Sequence, residues 1–274
     1  MEGSGQLAEK FSYLFILLLV IPAAAFGQFN FHQYFQKCHV EGSITLYDYE
    51  NSRWIHSDSV DSTTETLPAS TFKIVNTLIA VETGVIEDES QVVKWPGSTD
   101  TVKYGYRPNI YHDMTVKEAF QKSAGWVYVE LANQIGKERY LKYLKAINYG
   151  NLDLSQPDTD FWNFGSFGIS PENQIKILVG IYEESLPFSP EAFDIVKRIM
   201  VTERTSEYVI RAKTGWTRYG GKDTGWWVGY IEVDENVYFF ATRLMKPRNR
   251  SNPNFGECRK EITKKALRQL EILE

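Results

Sequence analysis

Strand-type patterns lie at both ends of this chain of 274 residues, and helix-type patterns fill its middle. Apolar and polar residues alternate over 42–49, and stretches rich in β-branched and aromatic residues occupy 208–212, 225–233 and 237–244. A chain ordered in this way can bring its two ends together in one sheet, with the central helices inserted as a lobe. A cleft between two such lobes is a common place for a site.

Helix signals concentrate between residues 113 and 201. The segment Thr115-Val-Lys-Glu118 is a capping box, in which the first and last side chains satisfy free backbone N–H groups. Ser170-Pro171-Glu172 and Ser189-Pro190-Glu191 each place a proline where a first helical turn accepts one. A last helix is predicted from about Glu257 to Leu273, after the final strand.

A buried helix is predicted from Ser70 to Thr83, because its apolar residues recur at helical intervals around nearly the whole axis. Gly84 is expected to end it. The fold class is therefore α+β, with a sheet lobe of about residues 28–85 and 202–274 and a helical lobe of about residues 86–201.

The composition is that of a globular protein with a substantial core, since 43% of the residues are hydrophobic and 14% are aromatic. The net charge is −5, and no basic patch or stripe is present, so nucleic acid is not an expected partner. No metal site is expected, because the four histidines show no ligand spacing: His32, His39, His56 and His112.

The first 27 residues are predicted to be a secretory signal peptide that precedes the mature chain, residues 28–274. A long apolar run ends there in Ala25-Phe26-Gly27, a small-x-small pattern typical of a cleavage site. The stretch before the run carries Glu2 and Glu9 where export signals are usually basic, so an uncleaved membrane anchor is the alternative. Cleavage would leave a periplasmic protein free of the membrane.

The chain has two cysteines, Cys38 near the predicted mature start and Cys258 near the end. In an oxidising compartment they would be able to form one disulfide, and they would serve equally well as two buried thiols. The sequence leaves both interpretations open.

Ser70 and Lys73 lie three residues apart at the start of the predicted buried helix. This spacing puts both side chains on one helix face, where the lysine amine reaches the serine hydroxyl. Burial lowers the pKa of a lysine, which can then act as the base that a serine nucleophile needs. By itself the pattern is common, and a helix cap followed by a surface lysine is the simpler interpretation; the apolar surroundings of Lys73 favour the catalytic one.

Two further motifs contain side chains that suit a functional site. Arg211-Ala-Lys213-Thr-Gly215 ends a predicted strand with a cation, a hydroxyl and open backbone, which together suit a substrate carboxylate. Ser123-Ala124-Gly125 lies where the helix from Thr115 should end, and its simpler interpretation is a serine that caps the following helix.

In chain order these motifs form a joint pattern, and with it the chain resembles the class D, or oxacillinase-type, serine β-lactamases from about Gly42 to the last helix. The class A Ser-Asp-Asn motif is absent. The resemblance implies a penicillin-binding transpeptidase-like fold, in which helices flank an antiparallel sheet. The matching segments are Ser70-Thr-Phe-Lys73, Tyr149-Gly150-Asn151, Phe161-Trp162, Lys213-Thr-Gly215-Trp216 and Gly225-Trp-Trp-Val-Gly229.

The resemblance implies that Ser70 attacks the lactam carbonyl and that water then hydrolyses the acyl-enzyme, with Lys73 as the base in both steps. In that family the lysine is carbamylated by carbon dioxide, and the tryptophan at the position of Trp162 holds the carbamate. A carbamate requires a neutral amine and hence a depressed lysine pKa. The backbone amides of Ser70 and Trp216 would form the oxyanion hole, and Ser123 would relay a proton to the lactam nitrogen.

The substrate of such an enzyme is a small β-lactam whose carboxylate also has to be bound. The resemblance assigns this role to Thr214 and Arg259, beside Gly215, with positive potential added by Lys213. Two other arginines near Arg259 are alternatives for its position: Arg248 and Arg250.

Two residues depart from the pattern of the family. Gly125 and Asn163 stand where the family usually has valine and leucine, which flank the carbamate and restrict water. We therefore expect that Gly125→Val combined with Asn163→Leu alters deacylation more than acylation.

The main alternative is a penicillin-binding or sensor-type protein, which is acylated at the same serine and deacylates slowly. Such a sensor needs a signalling domain across the membrane, and this chain has a single apolar run at its N-terminus. A secreted binding protein without enzymatic activity is the more distant alternative. The expected oligomeric state is a monomer or a homodimer.

Overall fold

The computed structural model describes residues 30–274, so the predicted signal segment, residues 1–27, lies outside the described residues. The strands of the main sheet are β1 (Glu41–Asp48), β2 (Arg53–His56), β5 (Val201–Arg204), β6 (Tyr208–Tyr219), β7 (Lys222–Val233) and β8 (Asn236–Pro247). They form one antiparallel sheet in the order β2-β1-β8-β7-β6-β5. Two short strands pair separately: β3 (Val92–Val93) and β4 (Met114–Thr115).

Most of the helices lie in the central part of the chain, between the strands of its two ends, as the sequence pattern predicts. None of the helices in the described part of the chain is long and apolar enough to span a membrane. The helices are α1 (His32–Lys37), α2 (Lys73–Glu82), α3 (Thr101–Tyr104), α4 (Val116–Lys122), α5 (Gly125–Ile135), α6 (Lys137–Ala146), α7 (Pro171–Tyr182), α8 (Pro190–Ile199) and α9 (Phe255–Gln269).

The predicted helix starts are confirmed by their capping hydrogen bonds. The Thr115 hydroxyl accepts a bond from the Glu118 amide at 3.1 Å. The hydroxyls of Ser170 and Ser189 cap α7 and α8 in the same way, each with a proline in the first turn. These signals are local, which explains why the sequence alone predicts them.

The two ends of the chain pair with each other in the sheet, as predicted. Strand β1 lies against β8, with Ile44 opposite Thr242 and Leu46 opposite Phe240. The predicted hairpin between β7 and β8 is also confirmed, and Asp234 takes a left-handed conformation at its turn, with φ of 51°.

Helices cover both faces of the sheet. Alternate residues of β7 point to opposite sides, so Trp226 packs into a core with α2 and α4–α8, whereas Trp227 packs into a second core with α1 and α9. Helix α2 lies inside the larger core, and all of its residues from Lys73 to Ala80 are buried. The sequence prediction of a fully buried helix is therefore confirmed.

A disulfide joins Cys38, just after α1, to Cys258 in α9, and so decides between the two interpretations left open by the sequence. The two cysteines lie 220 residues apart, so the bridge closes nearly the whole described chain into one loop. Within residues 30–274, Cys38, Cys258 and Glu261 are the one group of three side chains whose donor atoms lie close enough to bind a single metal ion. The two cysteine sulfurs are already bonded to each other in the disulfide.

Three details of the sequence prediction are wrong. The predicted helix from Ser70 begins as a tighter 3-10 turn, Ala69–Phe72, before α2. The last helix ends at Gln269 rather than Leu273, because Glu271 has a left-handed backbone with φ of 59°. Strand β5 was not predicted, since its four residues are half-buried or exposed and show no apolar run.

Candidate active site

Ser70 lies in the 3-10 turn that leads into α2, and this turn is held in an unusual backbone conformation. Ala69 has φ of 53°, in the left-handed region that residues with a Cβ seldom occupy. Its amide donates to the Trp162 carbonyl at 2.9 Å, and Thr71 donates its hydroxyl to the Pro68 carbonyl at 2.8 Å. These hydrogen bonds stabilise the unusual backbone conformation of the turn and hold Ser70 in place.

Strand β6 passes close to the Ser70 turn, and Gly215 makes this possible. A Cβ at Gly215 would lie 2.8 Å from the Pro68 carbonyl oxygen, closer than side-chain carbons come in proteins. The pairing of β5 with β6 ends near Val201 and Arg211, so the following part of β6 has a free edge on the side of the turn. The sequence Lys213-Thr-Gly215 therefore runs beside Ser70.

Ser70 and Lys73 are in direct contact, as their spacing predicts. The Lys73 Nζ donates to the Ser70 Oγ at 3.1 Å and lies 4.8 Å from the centre of the Tyr128 ring. Lys73 is only 1% exposed, and within residues 30–274 it has no carboxylate partner. Burial and then the positive charge of Arg107 lower the pKa of Lys73 from 10.5 to about 7. The neutral form of the Lys73 amine is therefore accessible near neutral pH.

The Tyr128 ring lies against the Lys73 amine, and further aromatic rings pack around the neighbouring Phe72. The Phe72 ring stacks on Trp162 with centroids 5.1 Å apart, and the Tyr128 hydroxyl contacts Thr77 at 3.0 Å. The indole Nε1 of Trp162 is buried and has no hydrogen-bond partner in the described part of the chain. A buried donor without a partner is costly, which indicates that an acceptor belongs beside it.

Ser123 and Lys213 form a second serine–lysine pair, with Nζ donating to Oγ at 3.0 Å and to the Thr214 carbonyl at 3.2 Å. Ser123 ends α4 in the left-handed conformation, and Ala124 is the N-cap of α5. The interpretation of Ser123 as the cap of the following helix is therefore wrong. Its left-handed backbone turns the hydroxyl away from the helix and toward β6.

Lys213 lies in a concentration of positive charge. It is 4% exposed and has no carboxylate partner in residues 30–274. Burial and then the charges of Lys73 and Arg259 hold the pKa of Lys213 well below its usual value. A site of this kind attracts an anion, because an anionic group would relieve the mutual repulsion of the cations.

Arg259, from α9, contacts the strand that carries Lys213. Its guanidinium donates to the Gly215 carbonyl at 2.5 Å and, through Nε, to the Gly256 carbonyl at 2.7 Å. Burial lowers the pKa of Arg259 to about 10, so it remains a cation at neutral pH. The alternatives Arg248 and Arg250 lie instead in the turn after β8.

Trp216 follows Gly215 on β6 and is 38% exposed. Its indole donates to Asp223 at 3.1 Å, and Asp223 is itself bonded to the buried Lys246. The Arg259 guanidinium lies 5.9 Å from the Trp216 ring centre. The side chain is therefore held at the edge of the site, next to the free edge of β6.

Of the two departures from the family pattern, Gly125 leaves open space and Asn163 is fixed by backbone hydrogen bonds. A Cβ added to Gly125 would meet no atom within 4 Å. Asn163 is held by its backbone, which donates to the Asp160 carbonyl at 2.9 Å and accepts from the Thr217 hydroxyl at 2.8 Å.

Arg107 is a residue that the sequence analysis missed. Its guanidinium donates to the carbonyls of Lys122 and Ser123 at 2.8 and 3.1 Å, and its charge contributes to the lowered pKa values of Lys73 and Lys213. It lies in a stretch without helical or strand periodicity, so the sequence carries no signal for its position.

Comparison with known proteins identifies the family. The model of the penicillin-binding protein transpeptidase domain matches residues 42–268. The chain is 37% identical over 244 residues to β-lactamase OXA-48 from Klebsiella pneumoniae, covering 89% of each protein.

Solved structures agree with this comparison. A class D β-lactamase from Sebaldella termitidis is 42% identical with a TM-score of 0.84, and the match covers 89% of this chain and 97% of that one. The class D β-lactamase YbXI from Nostoc is 38% identical with a TM-score of 0.82, covering 89% and 99%. The expected fold is confirmed, and the chain belongs to the class D β-lactamases.

Proposed function

We propose that this chain hydrolyses the amide bond of β-lactam antibiotics through an acyl-enzyme on Ser70. The observation that carries the proposal is the pair of serine–lysine contacts on either side of the free edge of β6. Each serine hydroxyl accepts a bond from a buried lysine that lacks a carboxylate partner in residues 30–274. The relatives are named as β-lactamases, which supports the substrate class.

In the acylation step, with Lys73 unmodified, Ser70 Oγ forms a bond to the lactam carbonyl carbon while its proton passes to the neutral Nζ of Lys73. The carbon–nitrogen bond of the ring then breaks, and the nitrogen takes a proton from the Ser123 hydroxyl. Lys213 in turn donates a proton to Ser123. The Lys213–Ser123 bond of 3.0 Å already runs in the direction of its proton transfer, whereas at the Ser70–Lys73 contact of 3.1 Å the neutral amine has to turn its lone pair toward the hydroxyl. Proton transfer along preformed hydrogen bonds needs little rearrangement.

The negative charge that develops on the carbonyl oxygen needs two donors. We assign this role to the backbone amides of Ser70 and Trp216, which lie on the turn and on the strand that approaches it. The close passage of Gly215 by the Pro68 carbonyl supports this assignment, because it brings the two segments into contact.

The carboxylate of the substrate would bind at Lys213, Thr214 and Arg259. The surplus of positive charge around Lys213 supports this role. Arg259 is already held by the carbonyls of Gly215 and Gly256, so it would contribute charge without having to reorganise.

We further propose that Lys73 carries a carbamate derived from carbon dioxide. The residues fit such a group: the amine has a pKa of about 7, and the unpartnered Nε1 of Trp162 would donate a hydrogen bond to an anion. When it is bound, the carbamate supplies an anionic base beside Ser70. Tyr128 and Phe72 would keep bulk water from its apolar side.

We also infer that the protein acts in the periplasm after removal of residues 1–27. The apolar run and the pattern Ala25-Phe26-Gly27 support this inference. The disulfide between Cys38 and Cys258 is also typical of an oxidising compartment. N-terminal sequencing of the exported protein should begin at Gln28; a retained segment would indicate a membrane anchor.

Hydrolysis of nitrocefin by residues 28–274, with and without bicarbonate, tests the proposed function. We expect turnover in both conditions and faster turnover with bicarbonate. Ser70→Ala should abolish it, whereas Ser166→Ala, which changes an exposed serine, should not. Absence of turnover in both conditions would contradict the enzymatic function.

Mass spectrometry after addition of a penicillin distinguishes the enzyme from its alternatives. A β-lactamase gives a transient adduct on Ser70, whereas a sensor gives a persistent one. No adduct at all would indicate a binding protein.

A further inference from the structure

Asp160 is a buried carboxylate that the proposed mechanism does not use. It is 1% exposed and lies two residues before Trp162 in the chain. Its Oδ2 accepts a hydrogen bond from the Tyr104 hydroxyl at 2.5 Å and lies 3.1 Å from the Lys103 Nζ. A buried charge persists in a protein only when partners of this kind compensate its loss of hydration.

Both partners come from the short helix α3, which has little apolar contact of its own. Val102 is 95% exposed, and α3 has no buried residues. Asp100 is the N-cap of this helix, and its side chain accepts bonds from the amides of Val102 and Lys103 at 2.9 and 2.8 Å. Polar contacts to Asp160 therefore hold α3 against the protein, in place of a hydrophobic face.

Lys103 makes further contacts on the same loop. Its Nζ donates to Asp158 at 2.8 Å and lies 4.7 Å from the centre of the Phe164 ring. The Tyr104 ring packs edge-on against the same phenylalanine, with centroids 6.0 Å apart. Helix α3 thus contacts the loop both before and after Trp162.

The segment between these contacts is a turn. The Asn163 amide donates to the Asp160 carbonyl at 2.9 Å, so residues 160–163 form a hydrogen-bonded β-turn. The Trp162 carbonyl accepts from the Ala69 amide at 2.9 Å, and the Asn163 carbonyl accepts from Thr217 at 2.8 Å. The Asp160 side chain connects the start of this turn to α3.

We propose that Asp160, Tyr104 and Lys103 form a positioning site that holds the turn of residues 160–163, and with it the Trp162 indole, in the wall around Lys73. Resting on the proposed function, the site would set how tightly Lys73 binds carbon dioxide, because the indole donor has to remain at the carbamate. The three residues are positioning residues, since they act through Trp162.

The test compares Tyr104→Phe with Tyr106→Phe in residues 28–274. The first change removes the hydroxyl that donates to Asp160, and the second removes a hydroxyl two residues away on a side chain that is 75% exposed. Three quantities are measured: the bicarbonate concentration for half-maximal activity, the 13C NMR signal of labelled lysine carbamate, and amide hydrogen exchange of residues 160–163.

For Tyr104→Phe we expect a roughly tenfold higher half-maximal bicarbonate concentration, a correspondingly weaker carbamate signal and faster exchange at residues 160–163. Tyr106→Phe should match the wild type in all three. Lys103→Met provides a second variant of the same site and should change the three quantities in the same direction.

The possible failures are distinguishable. If the wild type forms carbamate and both Tyr104→Phe and Lys103→Met leave all three quantities unchanged, the positioning role is wrong. If the wild type forms no carbamate, the proposed chemistry of Lys73 is wrong. The amide exchange rates of residues 160–163 then test the positioning role alone. Faster exchange in the variants supports this role, and unchanged exchange overturns it.

Discussion

The two serine–lysine pairs of this protein have nearly the same contact and different surroundings. Nζ donates to Oγ at 3.1 Å in the Ser70–Lys73 pair and at 3.0 Å in the Ser123–Lys213 pair. Lys73 lies over the Tyr128 ring, whereas Lys213 lies near four other cations that each lower its pKa: Lys73, Arg259, Arg107 and Lys260.

The comparison shows that the surrounding residues determine the chemical role of a serine–lysine pair. Burial among rings lowers the lysine pKa and leaves a neutral amine, which suits a base. Burial among cations also lowers the lysine pKa, and it creates a demand for an anion, which suits the binding of a substrate carboxylate. A bound carboxylate should therefore raise the pKa of Lys213.

The largest expected effect comes from Lys73→Ala, which removes the base of the first pair. Turnover should fall by about 10²- to 10⁴-fold, because deacylation loses its proton acceptor. Stopped-flow kinetics and mass spectrometry should detect an acyl-enzyme that persists. Lys117→Ala, at an exposed lysine of α4, is the control and should have normal turnover.

Lys213→Ala should act on substrate binding and, to a smaller extent, on the proton supply to Ser123, and thereby separate the two pairs. Loss of a charged hydrogen bond of about 1.5–3 kcal/mol should raise KM by about 10- to 100-fold, with a smaller fall in kcat. A substrate whose carboxylate is esterified should lose little further on this substitution, as a double-mutant cycle would measure. An equal loss with both substrates would show that Lys213 does not bind the carboxylate.

The pH dependence of the rate reports on Lys73. Since its pKa is lowered to about 7, the amine is neutral above that pH and protonated below it. In buffer depleted of carbon dioxide, kcat/KM should therefore fall about tenfold per pH unit below 7.

Arg107→Gln should move this acid limb to higher pH, because the charge of Arg107 lowers the lysine pKa. Arg107→Lys keeps the charge and should leave the limb near its wild-type position. A limb that does not move in Arg107→Gln would indicate that burial alone sets the pKa.

The smallest effect is expected from Gly125→Val combined with Asn163→Leu, which fills the open space at Gly125 and replaces a polar side chain by an apolar one. Deacylation should change several-fold while acylation stays close to the wild-type rate, because water takes part only in deacylation. Stopped-flow measurement of both steps tests this expectation. Equal changes in both steps would contradict it.

Several features of the fold and the site followed from the sequence. The Ser70–Lys73 contact was predictable, because residues three apart in a helical turn share a face. The caps at Thr115, Ser170 and Ser189 and the hairpin at Asp234 were predictable for the same reason, since each depends on a few neighbouring residues.

Other features were decided only by the tertiary structure. The Ser123–Lys213 contact joins residues 90 positions apart, and the bonds from Tyr104 to Asp160 join residues 56 apart. Arg107 and the pairing of Cys38 with Cys258 also had no local signal. Periodicity and capping are short-range properties of the chain, whereas these contacts depend on how the helices and the sheet pack together, and on which polar groups that packing buries side by side.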